Sequence, residues 1–466
     1  MKLTMILLLV LSMFFWGCMP YYIRQQEFHT RFQQGRLEEA SQVLDKSREA
    51  SRRRNRLLFL FNQGVVQHMK GNYAESNRFF EEAHILGEDF SRNLADEALA
   101  LLTNPGMLEY RGEDFELLMI HFYKAMNFIQ LGNLEAALVE CRRMNIKLNA
   151  LNDKHRGQNK YQRDAFIHNL MGIIYQSAGD YNNAFIAYRN AFEVYNEDYL
   201  RLFGLEAPVQ LQRDIIRTAH LTGFSDQRVY FEGKFGLTNS DVLPAENEGE
   251  LVFFWQNGLG PVKEQWSINL NMVRGEGGVV HFQNEDLGLS FPFLISSNQA
   301  QGNLGDLRFV RVAFPRYVER RPVIASATLS GNGKASSFEL AQNINAIAFQ
   351  SLQDRMLREL STALLRLALK QAAEKTLRKR NENLGSLFGL VGAMTEQADT
   401  RNWQTLPHSI HYTRLVLPQG NNELVLNLYD QAGALRQEIP ITVYIKAGQT
   451  SFVNYHTLHS KPPGMP

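Results

Sequence analysis

Two hydrophobic periodicities divide this chain. Up to about residue 225 the apolar residues recur three and four positions apart, which predicts amphipathic helices. From Glu250 onward apolar and polar residues alternate, and this period of two predicts β-strands. We therefore expect an α+β protein, with a helical region over residues 18–225 and a β-rich region over residues 226–466.

The N-terminus carries an export signal. Lys2 precedes the apolar run Leu3–Trp16, which is too short for a membrane span but fits the apolar segment of a signal peptide. The run ends at Gly17-Cys18, and a small residue before a cysteine resembles the lipobox of bacterial lipoproteins. That resemblance implies a signal peptide over residues 1–17, a lipid on Cys18, and an anchor in the outer membrane, on its periplasmic face. The alternative is an ordinary cleaved signal followed by an incidental cysteine.

The helical region contains internal repeats. Ala165–Asp198 combines Gly172, the turn Gly179-Asp180-Tyr181 and Ala184 at spacings that resemble the tetratricopeptide repeat, a helix-turn-helix unit. The resemblance implies a solenoid, since such units bury their apolar faces only by stacking. A helix over Pro208–Phe224 is expected to cap the array. Further copies of the frame are Tyr21–Arg54, Leu57–Phe90 and Leu118–Leu151.

Arrays of this kind expose a concave face, the groove, lined by the first helix of each pair. Here the groove is predicted to be apolar, and a large apolar surface is costly to leave open to water. Either it binds an apolar partner or the chain covers it with its own residues, and the sequence leaves both possibilities open. The predicted groove residues are Leu58, Phe61, Val65, His68, Met119, Phe122, Met126, Ile129, Phe166, Asn169 and Ile173.

The β-rich region is predicted to be an antiparallel, sandwich-like domain, because short strands alternate with Gly- and Asn-rich turns. A long helix with an apolar stripe, at about residues 342–380, interrupts the strands, and the Gly-rich apolar stretch Gly385–Met394 follows it. The predicted strands are Leu251–Gln256, Glu264–Met272, Gly288–Ile295, Leu307–Phe314, Val323–Leu329, Ser409–Leu417, Glu423–Tyr429, Ile439–Ile445 and Ser451–His456.

One motif precedes the strand at Ser409. It runs Ala398-Asp399-Thr400-Arg401-Asn402-Trp403-Gln404-Thr405-Leu406-Pro407. With the layout around it, the motif resembles an uncharacterised family of tetratricopeptide-repeat lipoproteins of Gram-negative bacteria. The resemblance covers most of the chain; it implies no activity, and only suggests cell-envelope biogenesis. The residues themselves predict a structural role, in which Asp399 and Arg401 pair and Trp403 anchors the chain.

Composition and motifs argue against catalysis and nucleic-acid binding. The formal net charge is only +1, too small for a strong attraction to nucleic acid. The sequence has no Gly-rich phosphate loop, no Gly-x-Ser-x-Gly and no His-Glu-x-x-His. Its two cysteines, Cys18 and Cys141, do not fit zinc-site spacing, and Cys141 is expected to be a buried, inert thiol. We predict no catalytic residue, no metal and no cofactor.

These observations predict a lipid-anchored periplasmic scaffold, which recruits an envelope protein through the groove. The alternative, from another class of protein, is a lipid or glycan carrier whose β-rich region holds the ligand. Its candidate contacts are Trp255, Trp266 and Trp403. An unrecognised hydrolase has the least support.

Overall fold

The computed structural model describes residues 21–92, 108–154, 160–238, 244–274, 279–284, 289–294, 309–356 and 398–465. The predicted signal peptide, Cys18, the stretch Gly385–Met394 and the predicted long helix beyond residue 356 lie outside the described residues.

The helices of the N-terminal region pack as consecutive pairs. The second helix of each pair contacts the first helix of its own pair. It also contacts the first helix of the following pair, so the pairs stack in chain order. The α+β class and the tetratricopeptide-like helices predicted from the sequence are therefore confirmed. The pairs are α1 (Gln26–Gln33) with α2 (Leu37–Lys46), α3 (Arg56–Met69) with α4 (Tyr73–Arg92), α5 (Asp114–Gln130) with α6 (Leu134–Lys154), α7 (Ala165–Ser177) with α8 (Tyr181–Val194), and α9 (Val209–Leu221) with α10 (Ser225–Phe235). The described part of this region also contains one-turn helices at Tyr21–Arg24, Arg48–Ser51 and Leu200–Phe203, a 3-10 helix at Arg53–Asn55 and a π-helical turn at Tyr195–Tyr199.

Turns and caps explain where these helices begin and end. Gly179, between α7 and α8, has a φ of 79°, a left-handed conformation that glycine adopts without a steric penalty. Asp164 and Asp180 cap α7 and α8, because their carboxylates accept hydrogen bonds from the amides of Ile167 and Asn183 at 2.8 and 3.1 Å. The local sequence thus sets where α7 ends and where α7 and α8 begin.

Two glycines let the paired helices approach closely. A Cβ added to Gly64 of α3 would lie 2.6 Å from the ring of Phe80 in α4. The same spacing recurs in the next-but-one pair, where a Cβ on Gly172 of α7 would overlap the ring of Tyr188 in α8. Both aromatic rings are fully buried, so each glycine makes room for the large side chain that fills the pair.

The last helix pair extends beyond the boundary expected at residue 225. Helix α10 runs to Phe235, and the first strand begins only at Glu248. The helix expected over Pro208–Phe224 is present as α9. Thr222 and Gly223 form a turn there instead of ending the region, and α10 is a helix that the sequence did not indicate.

The β-rich region contains three four-stranded sheets within the described residues. The first has the order β12-β1-β9-β8, the second β11-β10-β6-β7, and the third β4-β3-β2-β5. The strands are β1 (Glu248–Asn257), β2 (Val262–Arg274), β3 (Val279–Asn284), β4 (Leu289–Leu294), β5 (Phe309–Val318), β6 (Ser326–Gly331), β7 (Lys334–Ser337), β8 (Glu339–Asn343), β9 (Ser409–Pro418), β10 (Gly420–Tyr429), β11 (Leu435–Ile445) and β12 (Thr450–Thr457).

Strand β1 lies between two apolar layers. Leu251, Phe253 and Trp255 point to one side, where they pack with residues of β6 and β10 in the second sheet. Val252 and Phe254 point to the other side and join the apolar core of the helical array. Because successive side chains of a strand face opposite ways, both faces of β1 are buried, which accounts for the unbroken apolar run Leu251–Trp255.

Three details differ from the expected antiparallel domain. Strand β12 pairs in parallel with β1, because the chain crosses from the second sheet to the first between β11 and β12. Strands β3, β7 and β8 were not predicted, and the last two are short. The interrupting helix, α11, covers residues 344–356 of the described chain, so its start lies two residues after the expected position.

Candidate functional site at the concave face of the array

The predicted groove residues lie in the interior of the protein. All eleven are at most 4% exposed, and the apolar ones share one continuous cluster with Val252, Phe254, Ile410 and Tyr412 of the β-rich region. Of the two possibilities that the sequence leaves open, the structure shows the second, a groove covered by the chain itself. In this arrangement the groove offers no surface to a separate partner.

Trp403 of the motif occupies the centre of this groove. Its ring stacks on Phe61 of α3, with ring centroids 4.2 Å apart and planes 17° apart. Phe80 and Tyr123 surround it, each with a centroid distance of 5.8 Å. Offset stacks of this kind add to the energy of burial, and the side chain is only 1% exposed. Trp403 is thus a central packing residue between the two regions.

The backbone around Trp403 is held by polar groups of the helices. The Trp403 amide donates to Glu116 Oε1 of α5 at 2.6 Å. Its indole Nε1 donates to Thr405 Oγ1 at 2.9 Å, and Thr405 in turn donates to Asn62 Oδ1 of α3 at 2.9 Å. The motif, which turns at Gln404-Thr405, is therefore held to the helices by both its backbone and its side chains.

Arg401, which is buried, pairs with the partly exposed Asp399 at the edge of the groove. The Arg401 Nε and Nη2 atoms donate to the two carboxylate oxygens of Asp399, at 2.8 and 2.6 Å. Its remaining nitrogen, Nη1, donates to the carbonyl oxygens of Arg54 and Leu108 at 2.9 and 3.0 Å. The guanidinium thus joins the motif to two separate loops of the array, with its charge balanced by Asp399.

Glu116 is the main acceptor in this part of the interface. Besides the Trp403 amide, its carboxylate accepts from the Tyr110 hydroxyl at 2.6 Å and from the Glu113 amide at 3.0 Å. Burial, and then the neighbouring Glu113, raise the pKa of Glu116 to about 7. Glu113 itself pairs with Lys263 of β2 and with Arg355 of α11, so these two elements of the β-rich region meet at the start of α5.

His68 connects the groove to the last strand. Its Nδ1 lies 2.6 Å from Asn127 Oδ1 of α5, and its Nε2 lies 2.6 Å from Asn454 Nδ2 of β12. An amide oxygen only accepts and an amide nitrogen only donates, so this geometry requires a neutral ring protonated at Nδ1. Burial lowers the pKa of His68 to about 4, in keeping with the neutral form.

A second polar contact region lies at the far end of the array. Arg414 of β9 is buried and binds Glu250 Oε2 of β1 at 3.1 Å and Asp214 Oδ2 of α9 at 3.4 Å. It also donates to the Tyr188 hydroxyl of α8 at 3.2 Å. Both ends of the concave face are therefore held to the β-rich region by charged groups, with aromatic packing between them.

This site is built for packing rather than for reaction. Within the described ranges, no cluster of three or more His, Cys, Asp or Glu side chains could hold a metal ion. Cys141 is buried, and burial raises the pKa of its thiol far above the usual range, which keeps it protonated and unreactive. The tryptophans of the carrier alternative are also unsuited, since Trp255 and Trp403 are interior and only Trp266 is partly exposed.

Sequence reasoning missed Glu116 and Arg414, although each left a signal. Glu113 and Glu116 form a capping box at the start of α5, with the spacing expected of such a box before an apolar run. Arg414 lies among apolar residues in strand Ser409–Pro418, at a position that faces the array. Neither signal indicates which distant residue is the partner.

Comparisons with known proteins add little. No protein-family model matches the chain, and no curated protein sequence matches it. Among solved structures, BtubC from P. vanneervenii is 13% identical with a TM-score of 0.28, and the match covers 48% of this chain and 80% of that one. A putative kinesin light chain from Podosopora anserina, with TPR-like repeats, is 16% identical with a TM-score of 0.29 over 47% of this chain and 99% of that one. We take no functional conclusion from either.

Among the described helices, none combines the length and the apolar character that crossing a membrane requires.

Proposed function

We propose that this chain is a non-catalytic scaffold protein of the bacterial cell envelope, anchored by lipid on Cys18 to the periplasmic face of the outer membrane. The N-terminal sequence Leu3–Cys18 and the resemblance of the motif to a lipoprotein family support the anchor. The helical array supports a role in protein–protein contact. A role in cell-envelope biogenesis, with an envelope protein as the partner, rests on the family resemblance alone.

The covered groove carries the more specific part of this proposal. For the predicted groove residues to contact a partner, the motif and strands β1, β9 and β12 would first have to leave. That step would expose the buried side chains of Trp403, Phe254 and Arg401 to water. We therefore propose that the groove acts within the chain, as the surface that makes one unit of the helices and the strands.

This proposal includes two finer points of architecture. The stacked helix pairs form a solenoid, and the first and second sheets form a sandwich around a core of their own. The shared contacts between successive pairs support the first point. The cluster that joins Phe253 and Trp255 with Leu426 and Leu428 supports the second.

A partner is then expected to bind the outer surface. Two large apolar residues of α10, Val229 and Tyr230, are 62% and 56% exposed. They lie on the last helix pair of the array, where no further pair covers them within the described residues. Exposed apolar groups of this size are common at protein–protein contacts, so we expect the partner to contact α10.

Photo-crosslinking in the native host tests this function. A photoreactive amino acid that replaces Tyr230 should crosslink to another envelope protein. The same photoreactive amino acid in place of Phe122 should crosslink only within the chain. Intermolecular crosslinks at Phe122 would show that the groove opens to a partner. Absence of intermolecular crosslinks at Tyr230 and at other exposed positions of the array would count against a scaffold.

The lipid anchor is tested separately by intact mass. Protein purified from membranes of the native host should begin at Cys18 and carry acyl chains. A mature protein that begins at another residue and carries no lipid would overturn the anchor. The crosslinking result would still stand, because it does not depend on how the protein reaches the membrane.

A further inference from the structure

A cavity of about 400 Å³ lies beside Gln404 of the motif. Helix α1 forms one wall, and the end of β5 and the C-terminal segment form the others. Its lining includes Ile23, His29, Thr30, Arg320, Gln404 and Ser460. No carboxylate of the described residues lines this cavity, so its lining is neutral or positive.

Arg320 is the most unusual residue of the cavity. It is 3% exposed, yet no described carboxylate pairs with it. Nε donates to the Gly260 carbonyl at 2.7 Å and Nη2 donates to the Gln404 carbonyl, while Nη1 donates to no described residue. Buried charges in proteins are normally paired, because an isolated ion pays a large desolvation penalty. Burial lowers the pKa of Arg320 to about 9 for this reason.

Two further polar groups of the lining lack a partner. The Nδ1 atom of His29 and the Oε1 atom of Gln404 are buried and make no hydrogen bond within the described chain. His29 is 8% exposed and Gln404 is 1% exposed. Burial, with a smaller contribution from Arg320, lowers the pKa of His29 to about 3, so the ring is neutral and can present an N–H. Buried groups of this kind usually have a partner in the functional molecule.

We propose that this cavity binds a phosphate group through Arg320 and His29. Arg320 supplies the charge through its unused Nη1, and His29 Nδ1 supplies a hydrogen bond. Gln404 Nε2 already donates to Asn402 Oδ1 at 3.3 Å, which leaves Gln404 Oε1 as an acceptor for a hydroxyl group of the ligand. The Thr30 hydroxyl lies in the same wall. A phosphate group accepts several hydrogen bonds at once. This suits a cavity whose lining offers donors on Arg320, His29 and Thr30 and contains no carboxylate of the described residues.

The phosphate has two possible sources, a lipid headgroup and a small phosphorylated molecule. Ile23, in the cavity wall, follows Cys18 by only five residues in the sequence. Since such a short segment reaches at most about 18 Å, a lipid on Cys18 would hold the cavity near the headgroup region. A soluble phosphate compound needs no such proximity.

Titration of the full-length protein with defined probes tests the site. Inorganic phosphate and glycerol 3-phosphate are titrated by calorimetry, and vesicles of phosphatidylglycerol are compared with vesicles of phosphatidylcholine by flotation. The flotation uses a Cys18→Ala chain that carries no lipid, because an acyl anchor would insert into both kinds of vesicle. We expect saturable binding of one phosphate per chain. Binding of the soluble probes would identify a small phosphorylated ligand, and binding of phosphatidylglycerol vesicles alone would identify the headgroup. No saturable binding of any of these probes would overturn the site.

Three variants connect the binding to the cavity. Arg320→Met should weaken binding roughly tenfold or more, as expected for the loss of a charge-assisted hydrogen bond. His29→Phe keeps an aromatic ring against Phe28 and should weaken binding by a few-fold. Arg321→Met removes an exposed neighbouring arginine that pairs with Glu319, and should leave binding unchanged. If Arg320→Met does not fold, His29→Phe decides, and unchanged binding in that variant would refute the proposal.

Discussion

At the scale of single residues, Gly172 and Tyr188 show how closely the fold depends on side-chain size. The ring of Tyr188 fills the space that a side chain at Gly172 would need. The ring cannot retreat easily, because its hydroxyl donates to Gln176 Oε1 at 2.7 Å and accepts from Arg414. Glycine at this position is therefore required by packing, not by backbone conformation.

Gly172→Ala should destabilise the protein by about 1–3 kcal/mol, the usual cost of overfilling a packed core. Urea denaturation of the two proteins measures the difference. Gly233→Ala in α10 is the matched control, because a Cβ there meets nothing within 4 Å. That substitution should stabilise the helix by roughly 0.5–1 kcal/mol. Equal effects of the two substitutions would refute the packing argument.

His68 gives the interface a dependence on pH. Its pKa falls to about 4 in the folded protein because of burial, from 6.5 in the unfolded chain. The unfolded chain therefore takes up a proton on this ring before the folded protein does. The contribution is fully present above pH 6.5 and is lost as the pH falls toward 4. At pH 5 this single group should cost about 2 kcal/mol of stability.

His68→Gln should reduce the loss of stability between pH 7 and pH 5. The expected change is a smaller slope of unfolding free energy against pH, by up to one proton, measured by urea denaturation at several pH values. His220→Gln, at an exposed position of α9, is a control for the substitution itself and should change the stability at pH 7 by less than about 0.5 kcal/mol. A slope in His68→Gln equal to that of the unmodified protein would contradict this assignment.

At the scale of helices and strands, the sequence predicted most elements, but it did not predict the short strands β7 and β8 or the direction of β12. Apolar periodicity and Gly turns located the helix pairs, since both are local properties of the chain. Strands β7 and β8 could not be predicted because they are short and largely polar, and because they form only by pairing with β6 and β9. The parallel pairing of β12 with β1 escaped because direction is set by the connection between sheets, which leaves no local pattern.

Strand β1 should be the most protected strand in hydrogen exchange. Both of its edges are paired, with β9 and β12, and both of its faces are buried. Strand β11 is an edge of the second sheet and is largely exposed along Leu435–Glu438. We expect amides of Leu251–Trp255 to exchange far more slowly than those of Leu435–Glu438, because they open only with the whole structure. Equal exchange rates by mass spectrometry would mean that the layers separate without global unfolding.

At the scale of the whole molecule, the sequence identified the groove but not its occupant. The apolar character of Phe61, Phe122 and Phe166 showed that something must cover the concave face. The cover comes from residues such as Trp403, which follow Phe61 by more than three hundred positions. Such a long-range contact has no periodic signal. The motif suggested a structural role for Trp403, yet only the fold shows that the groove is its site.

One shared core predicts one cooperative unfolding transition. Trp403, Phe254 and Tyr412 belong to the same apolar cluster as the helices, so neither region retains a complete core without the other.

Trp403→Ala removes the ring stacked on Phe61 and should cost about 3–5 kcal/mol, while leaving a cavity between the regions. Pulsed hydrogen exchange across a denaturant series should show helix α3 and strand β9, which supplies Ile410 and Tyr412 to the shared cluster, losing protection together in both proteins. The variant should unfold at lower denaturant. Trp266→Ala, at a partly exposed position of β2, should shift the midpoint much less. If α3 and β9 lost protection at different denaturant concentrations in the unmodified protein, the two regions would be independent domains, and the proposed role of the groove within the chain would be wrong.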